Sequence, residues 1–208
     1  SLEGDVAAAL DGVDLVVGNE EKSDLVPIAL RELGGFEMPR HAMEPDAQFF
    51  VDDRRTRGFI KVQDGCRHKC SYCIVTEARG AERSRTVESV VSECQNMVEA
   101  GFKELVLSGV HIGGYGGDIG ESLPSLISAV LADVDVKRLR LGSMEPWAVD
   151  STLLKMFGDP RMMPHMHLPL QSGSDVVLKR MARRCTRASY EEMVTQARDA
   201  VDGLNLTT

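Results

Sequence analysis

The sequence has no apolar run of eighteen residues, so nothing in it reads as a membrane-spanning helix. It also lacks a basic stretch leading into an apolar one at its start, so no secretory leader is expected. Five cysteines, an odd count unevenly spaced, argue against a secreted disulfide framework and for a reducing cytoplasm. A surplus of positive charge is missing too, the net charge being −8. That deficit is local. Residues 1–49 carry eleven acidic and three basic side chains, a net of −8, whereas residues 50–57 carry +1 and residues 58–208 carry −1. Most of the chain is therefore balanced, and bulk charge neither supports nor excludes an RNA partner.

What is present is a regular alternation. "DLVVGN" (14–19) reads as a strand closing on a turn, then "KSDLVPIALREL" as a helix with a Gly-Gly stop. Residues 35–49 carry two prolines and no period, which reads as a linker. From residue 58, strands are expected at 58–63, 104–110, 138–146 and 165–174, with a last one starting in "LNLTT". Helices are expected at 86–101, where Val87, Val90, Val91, Cys94, Met97 and Val98 share a face, in "LPSLISAVLADV" and "DSTLLKMF", near Asp175, and at 189–203. In the last of these, Ser189 with Glu192 reads as a capping box and Gly203 as a stop. Strand–helix alternation predicts an α/β fold with a parallel sheet, and its regularity a partial (β/α) barrel. In barrels the site lies on loops after the strands' C-terminal ends. That rule singles out the loop after 58–63, Ser108-Gly109, Glu145-Pro146 and Gln171-Ser172-Gly173.

The first of those loops contains "GCRHKCSYC", with Cys66, Cys70 and Cys73 spaced C-x3-C-x2-C. Structural zinc needs four closed ligands, usually as two separated pairs, and no second pair follows. Closing four ligands with His68 inside eight residues would be cramped. Redox chemistry of a C-x2-C pair leaves Cys66 unexplained. An iron–sulfur cluster accepts closely spaced thiolates, and three of them leave one iron open to a small molecule.

C-x3-C-x-aromatic-C after the first strand of such a barrel resembles the radical S-adenosylmethionine (SAM) superfamily. Together with "ARGAERSR", "ELVLSGVHIGGYG", "RLRLGSMEP" and "HMHLPLQSGSDVVLKRM", it resembles the tRNA methylthiotransferases. The "GVHIGGYG" and "SMEP" forms lean toward the branch acting on threonylcarbamoyladenosine beside the anticodon. The resemblance implies a [4Fe–4S] cluster on Cys66, Cys70 and Cys73, with SAM as second cofactor. It also implies SAM contacts from Tyr72, Ser108, Gly109, Glu145, Gln171 and Ser172. Further implied are a tRNA substrate, an electron donor, a monomer and no membrane partner. Residues 1–34 would be the end of an N-terminal α/β domain, 35–57 a linker and 58–208 a barrel truncated at its C-terminal end. Cysteines for an auxiliary cluster would lie upstream of Ser1, and an RNA-binding domain beyond Thr208.

Each assignment has a plainer counterpart. Tyr72 could simply pack its loop, Glu145 join a rim ion pair, and Gln171 and Ser172 cap the helix near Asp175. Arg79, Arg83 and Arg85, with Arg67 and Lys69, could serve the cluster, SAM or phosphates, or form a solvated face. Lys179, Arg180, Arg183, Arg184 and Arg187 read as a candidate RNA-facing stripe. His111, His165 and His167 read as packed or loop histidines, and Cys94, Met162, Met163 and Met166 as core. Cys185 and the Thr76-Glu77 pair depart from the family's usual residues. A zinc-stabilised RNA-binding module, and a radical SAM enzyme with another substrate, are the competing readings.

Overall fold

The structure, a computed structural model, describes residues 4–34 and 56–208. The expected linker at 35–49 lies outside the described residues. Strand β1 (Arg57–Asp64) buries alternate side chains and then every residue from Val62 on. That pattern fits a strand flanked on both sides: antiparallel β2 (Arg83–Ser84) pairs with its end, and parallel β3 (Glu104–Gly109) runs along its length. Strand β4 (Arg138–Leu141) pairs parallel with β3. Beyond β4 the sheet curls on through single contacts. Leu139 forms a parallel bridge with Met162, and the Met144 amide donates to the His167 carbonyl at 3.0 Å. Strands β5 (His165–His167) and β6 (Asn205–Thr207) complete the curve as a parallel pair. The result is the expected α/β half-barrel, its strands following chain order from β1 through β3 and β4 to β5 and β6.

Helices α4 (Val87–Glu99), α5 (Leu123–Asp133), α6 (Ser151–Met156) and α8 (Arg187–Ala200) pack on the sheet with their apolar stripes inward. Ile60, Val62, Leu105, Leu107, Leu139 and Leu141 meet Val90, Cys94, Leu126, Ile127 and Val130 in a fully buried core. Each such aliphatic side chain contributes about 2 kcal/mol of transfer free energy. Cys94, Met162, Met163 and Met166 are core residues, as their patterning implied.

Some boundaries differ from the sequence reading. The strand at 138–146 stops at Leu141, the Gly142 amide making the last ladder bond to the Leu107 carbonyl at 2.8 Å. The strand at 165–174 stops at His167, and the following residues become a loop that feeds α7 (Asp175–Arg180). The capping box of α8 is Thr186 with Ser189, one helical turn earlier than Ser189 with Glu192. Residues 14–17 form no strand, since no neighbour among the described residues offers them a ladder. Helices α1 (Gly4–Ala8) and α2 (Leu25–Leu33) bury none of their residues. This segment touches the barrel through polar contacts. Lys22 pairs with Asp64 at the end of β1, and Asn19 Nδ2 donates to the Arg79 carbonyl at 3.1 Å.

Candidate functional site

The chain leaves β1 through Gly65, at φ +78°, where a Cβ would be driven into the Ala81 carbonyl. The loop then coils on itself. The Cys66 amide donates to Gly80 at 3.1 Å, while the His68 carbonyl accepts from the Cys70 amide at 2.9 Å and from Thr76 Oγ1 at 3.1 Å. Helix α3 (Val75–Arg79) begins directly after the third cysteine. The three thiols thus share one loop, all free of disulfides: Cys70 buried, Cys66 half-buried, Cys73 exposed. The His68 amide lies 3.4 Å from Cys66 Sγ, a donor aimed at sulfur. Burial holds the Cys66 thiol above its usual range, and the carboxylates of Glu82 and Glu145 push the same way. A cation on the sulfur would reverse that. Cys94 lies in the core and Cys185 is buried.

Arg183 joins the expected contacts around this loop, and sequence reasoning placed it elsewhere. Its side chain is 1% exposed. Nη2 sits 2.9 Å from Glu145 Oε2 and donates to the Pro169 carbonyl at 2.6 Å. Nη1 reaches Tyr72 Oη at 3.4 Å, and the guanidinium lies 4.6 Å over the Trp147 ring. Burial works against its charge, but Glu145 more than offsets this and raises the Arg183 pKa. The expected basic stripe is therefore corrected: Lys179, Arg180, Arg184 and Arg187 are exposed, whereas Arg183 turns inward after Ala182, a non-glycine residue at φ +55°. The half-exposed Tyr72 hydroxyl titrates higher than usual, chiefly through burial.

His68 also meets Trp147, its ring centroid 5.5 Å from the indole and edge-on. His68 Nε2 meets His111 Nε2 at 3.1 Å, and His111 Nδ1 meets Glu82 Oε1 at 2.7 Å. Glu82 is delivered by the short strand β2, which the sequence did not announce. Its only cue is a lone acid in the arginine-rich "RGAERSR".

The remaining expected residues occupy the same rim. Ser108 Oγ donates weakly to the Ile60 carbonyl at 3.4 Å, and Gly109 packs closely on Gln63. Gln171, exposed and at φ +74°, and Ser172 border an open groove of about 500 Å³ with Pro169 and Thr208. Ser172 Oγ accepts from the Ser174 amide, and α7 carries no side-chain cap. Arg85 is engaged by Glu93, Ser89 and the Lys61 carbonyl. Arg79 approaches Asp64 at 3.7 Å and Arg67 pairs with Glu82 at 2.9 Å.

A sequence model of the radical SAM superfamily matches residues 60–208, most of the chain. The chain belongs to the radical SAM superfamily. Its similarity extends further to particular members. It is 34% identical to the threonylcarbamoyladenosine tRNA methylthiotransferase MtaB of Bacillus subtilis, over 96% of this chain and 47% of that protein. It is likewise 34% identical to the tRNA-2-methylthio-N(6)-dimethylallyladenosine synthase of Lawsonia intracellularis, over 72% of this chain and 35% of that protein. The chain thus spans less than half the length of these relatives. Among solved structures, the radical SAM methyltransferase TsrM of Kitasatospora setae, bound to tryptophan and a SAM analogue, superimposes with a TM-score of 0.58. That match has 20% identity over 74% of this chain and 30% of TsrM, so it speaks for the shared fold alone. Among the described residues, no helix of this radical SAM chain is long and apolar enough to cross a membrane.

Proposed function

We propose that this chain is part of an enzyme that methylthiolates carbon 2 of threonylcarbamoyladenosine beside the tRNA anticodon. One observation carries the reading: three free thiols in one loop at the C-terminal end of β1, with an amide donor aimed at Cys66 sulfur and no fourth cysteine in the loop. That donor set fits a [4Fe–4S] cluster held by Cys66, Cys70 and Cys73. When bound, the cluster supplies an open iron for the amino and carboxylate groups of SAM, and the electron that cleaves its sulfonium.

The chain's own residues then bind and orient. The Glu145 carboxylate, held by Arg183, would accept from an N–H of the α-amino group of SAM. The Tyr72 ring flanks the adenine, and the backbone at Ser108 and Gly109 approaches the methionyl portion. Gln171 and Ser172, beside the groove, take the ribose or carboxylate. Trp147, edge-on to His68, limits water beside the loop. The branch is favoured by the reach of the match: similarity to MtaB covers 96% of this chain, against 72% for the dimethylallyladenosine enzyme. The whole protein would act on tRNA as a cytoplasmic monomer supplied by an electron donor.

Anaerobic reconstitution should give about four irons per chain, lost in Cys70→Ala and kept in Cys94→Ala. Stoichiometric zinc without iron would overturn the cluster. Mass spectrometry of tRNA nucleosides from a deletion strain should show threonylcarbamoyladenosine without its methylthio group. Loss from dimethylallyladenosine instead would overturn the substrate.

A further inference from the structure

Four residues form a chain of contacts running from the surface into the cysteine loop. Arg67, exposed, holds Glu82 Oε2 at 2.9 Å, and the other carboxylate oxygen faces His111 Nδ1 at 2.7 Å. His111 Nε2 faces His68 Nε2 at 3.1 Å. His111 is pinned independently: its amide donates to Gln63 Oε1 at 2.8 Å, and Gly114 leaves room for its ring where a Cβ would collide with Nδ1. Glu82, His111 and His68 are all at least nine-tenths buried.

The chemistry of the first link sets the rest. A carboxylate paired with an arginine offers only acceptors, so the hydrogen between Glu82 and His111 sits on His111 Nδ1. In the neutral His111 imidazole, Nε2 then carries a lone pair, and the 3.1 Å contact puts the hydrogen on His68 Nε2. His68 Nδ1 is left as a bare lone pair. It is buried and has no hydrogen-bond partner among the described residues. A buried acceptor without a donor is costly, and in the middle of a cysteine loop it marks a place for a ligand's hydrogen.

We propose that Glu82 and His111 are positioning residues that lock His68 in one tautomer, so that the cysteine loop presents the His68 Nδ1 lone pair to an N–H or O–H donor of the small molecule seated there. This rests on the radical SAM reading, in which the α-amino group of SAM carries N–H donors of that class. Arg67 serves by holding the other oxygen of the Glu82 carboxylate. A neutral amide at position 82 removes the constraint, because an amide can donate to His111 Nδ1 as well as accept from it. Both histidines can then turn over together, and His68 Nδ1 becomes a donor.

The tautomer can be read without iron or SAM. Imidazole ¹⁵N spectra of the reduced, cluster-free chain should show His68 with hydrogen on Nε2 and a lone pair on Nδ1, and His111 the reverse. Glu82→Asp keeps an acceptor-only group and should keep that pattern, whereas Glu82→Gln should show hydrogen on His68 Nδ1. On reconstituted protein, Glu82→Gln should weaken SAM binding about tenfold, the worth of one hydrogen bond, and Glu82→Asp should restore it. Hydrogen on Nδ1 of His68 in the unaltered chain overturns the proposal, as does an unchanged SAM affinity in Glu82→Gln. The donor atoms of His68, Glu82 and His111 lie within 4.8 Å of one another. That spacing could also hold a metal ion, so zinc is the control: added to the cluster-free chain it should leave both Nε2 signals in place, and tight zinc binding there would overturn the proposal. Failure to assemble a cluster would count against the enzyme reading and leave the tautomer result standing.

Discussion

Arg183 and Glu145 form an ion pair at 2.9 Å in which the arginine side chain is 1% exposed and the glutamate 23%. The pair ties the cysteine loop, through Tyr72, to the loops after β4 and β5. Removing one partner of such a buried pair leaves an uncompensated charge. Arg183→Ala should cost about 3 kcal/mol in urea unfolding. Arg183→Lys should recover less than half of that, because an ammonium cannot both fork to Glu145 and Pro169 and stack on Trp147. A cost under about 1 kcal/mol for the alanine variant would show that the pair is replaceable by water.

Glu104, at the start of β3, is clasped by Arg57 at 2.6 Å, Arg138 at 2.9 Å and Arg140 at 3.0 Å. Burial alone would raise its pKa, but the three guanidinium groups prevail and lower it from 4.5 to about 2. The folded state therefore resists protonation longer than the unfolded one. The stability this provides is complete above about pH 5 and is lost as pH falls toward 2. Denaturant melts across that range should show the loss, and Glu104→Gln should flatten it.

Gly65→Ala tests the turn that launches the cysteines. With φ at +78° and the Ala81 carbonyl in the way of a Cβ, the substitution should cost about 3 kcal/mol. The reconstituted variant should hold less iron even where circular dichroism shows the helices intact. Full iron retention would mean that the loop finds another path.

The five thiols should differ sharply in reactivity. Cys73 is exposed, Cys66 is half-buried with its thiol pushed up, and Cys94 is fully buried with its thiol pushed up to about 12. Timed alkylation of the iron-free chain, read by peptide mass spectrometry, should label Cys73 first and Cys94 last. Cluster assembly should then protect Cys66, Cys70 and Cys73 and leave Cys94 as slow as before.

The sequence made the strands β1, β3 and β6 and the helices α4, α5, α6 and α8 legible, because their apolar periods are local properties. It also placed Tyr72, Glu145 and the three cysteines on strand-end loops by the rule of barrel topology. Arg183 was misplaced because its charge sits in a basic run, while its direction depends on Ala182 at φ +55° and on Trp147 thirty-six positions earlier. Glu82 and His111 escaped for a related reason. Their meeting depends on a two-residue strand pairing with the end of β1, and no periodicity survives in so short an element.

Trp147, the only tryptophan in the chain, neighbours both the Arg183 guanidinium and the His68 ring. Nature has thus placed a fluorophore beside the cysteine loop. A bound iron–sulfur chromophore so near an indole would drain its emission. Loop occupancy could then be followed in the unlabelled chain as light disappearing, and the loosening of either neighbour as a change in its colour.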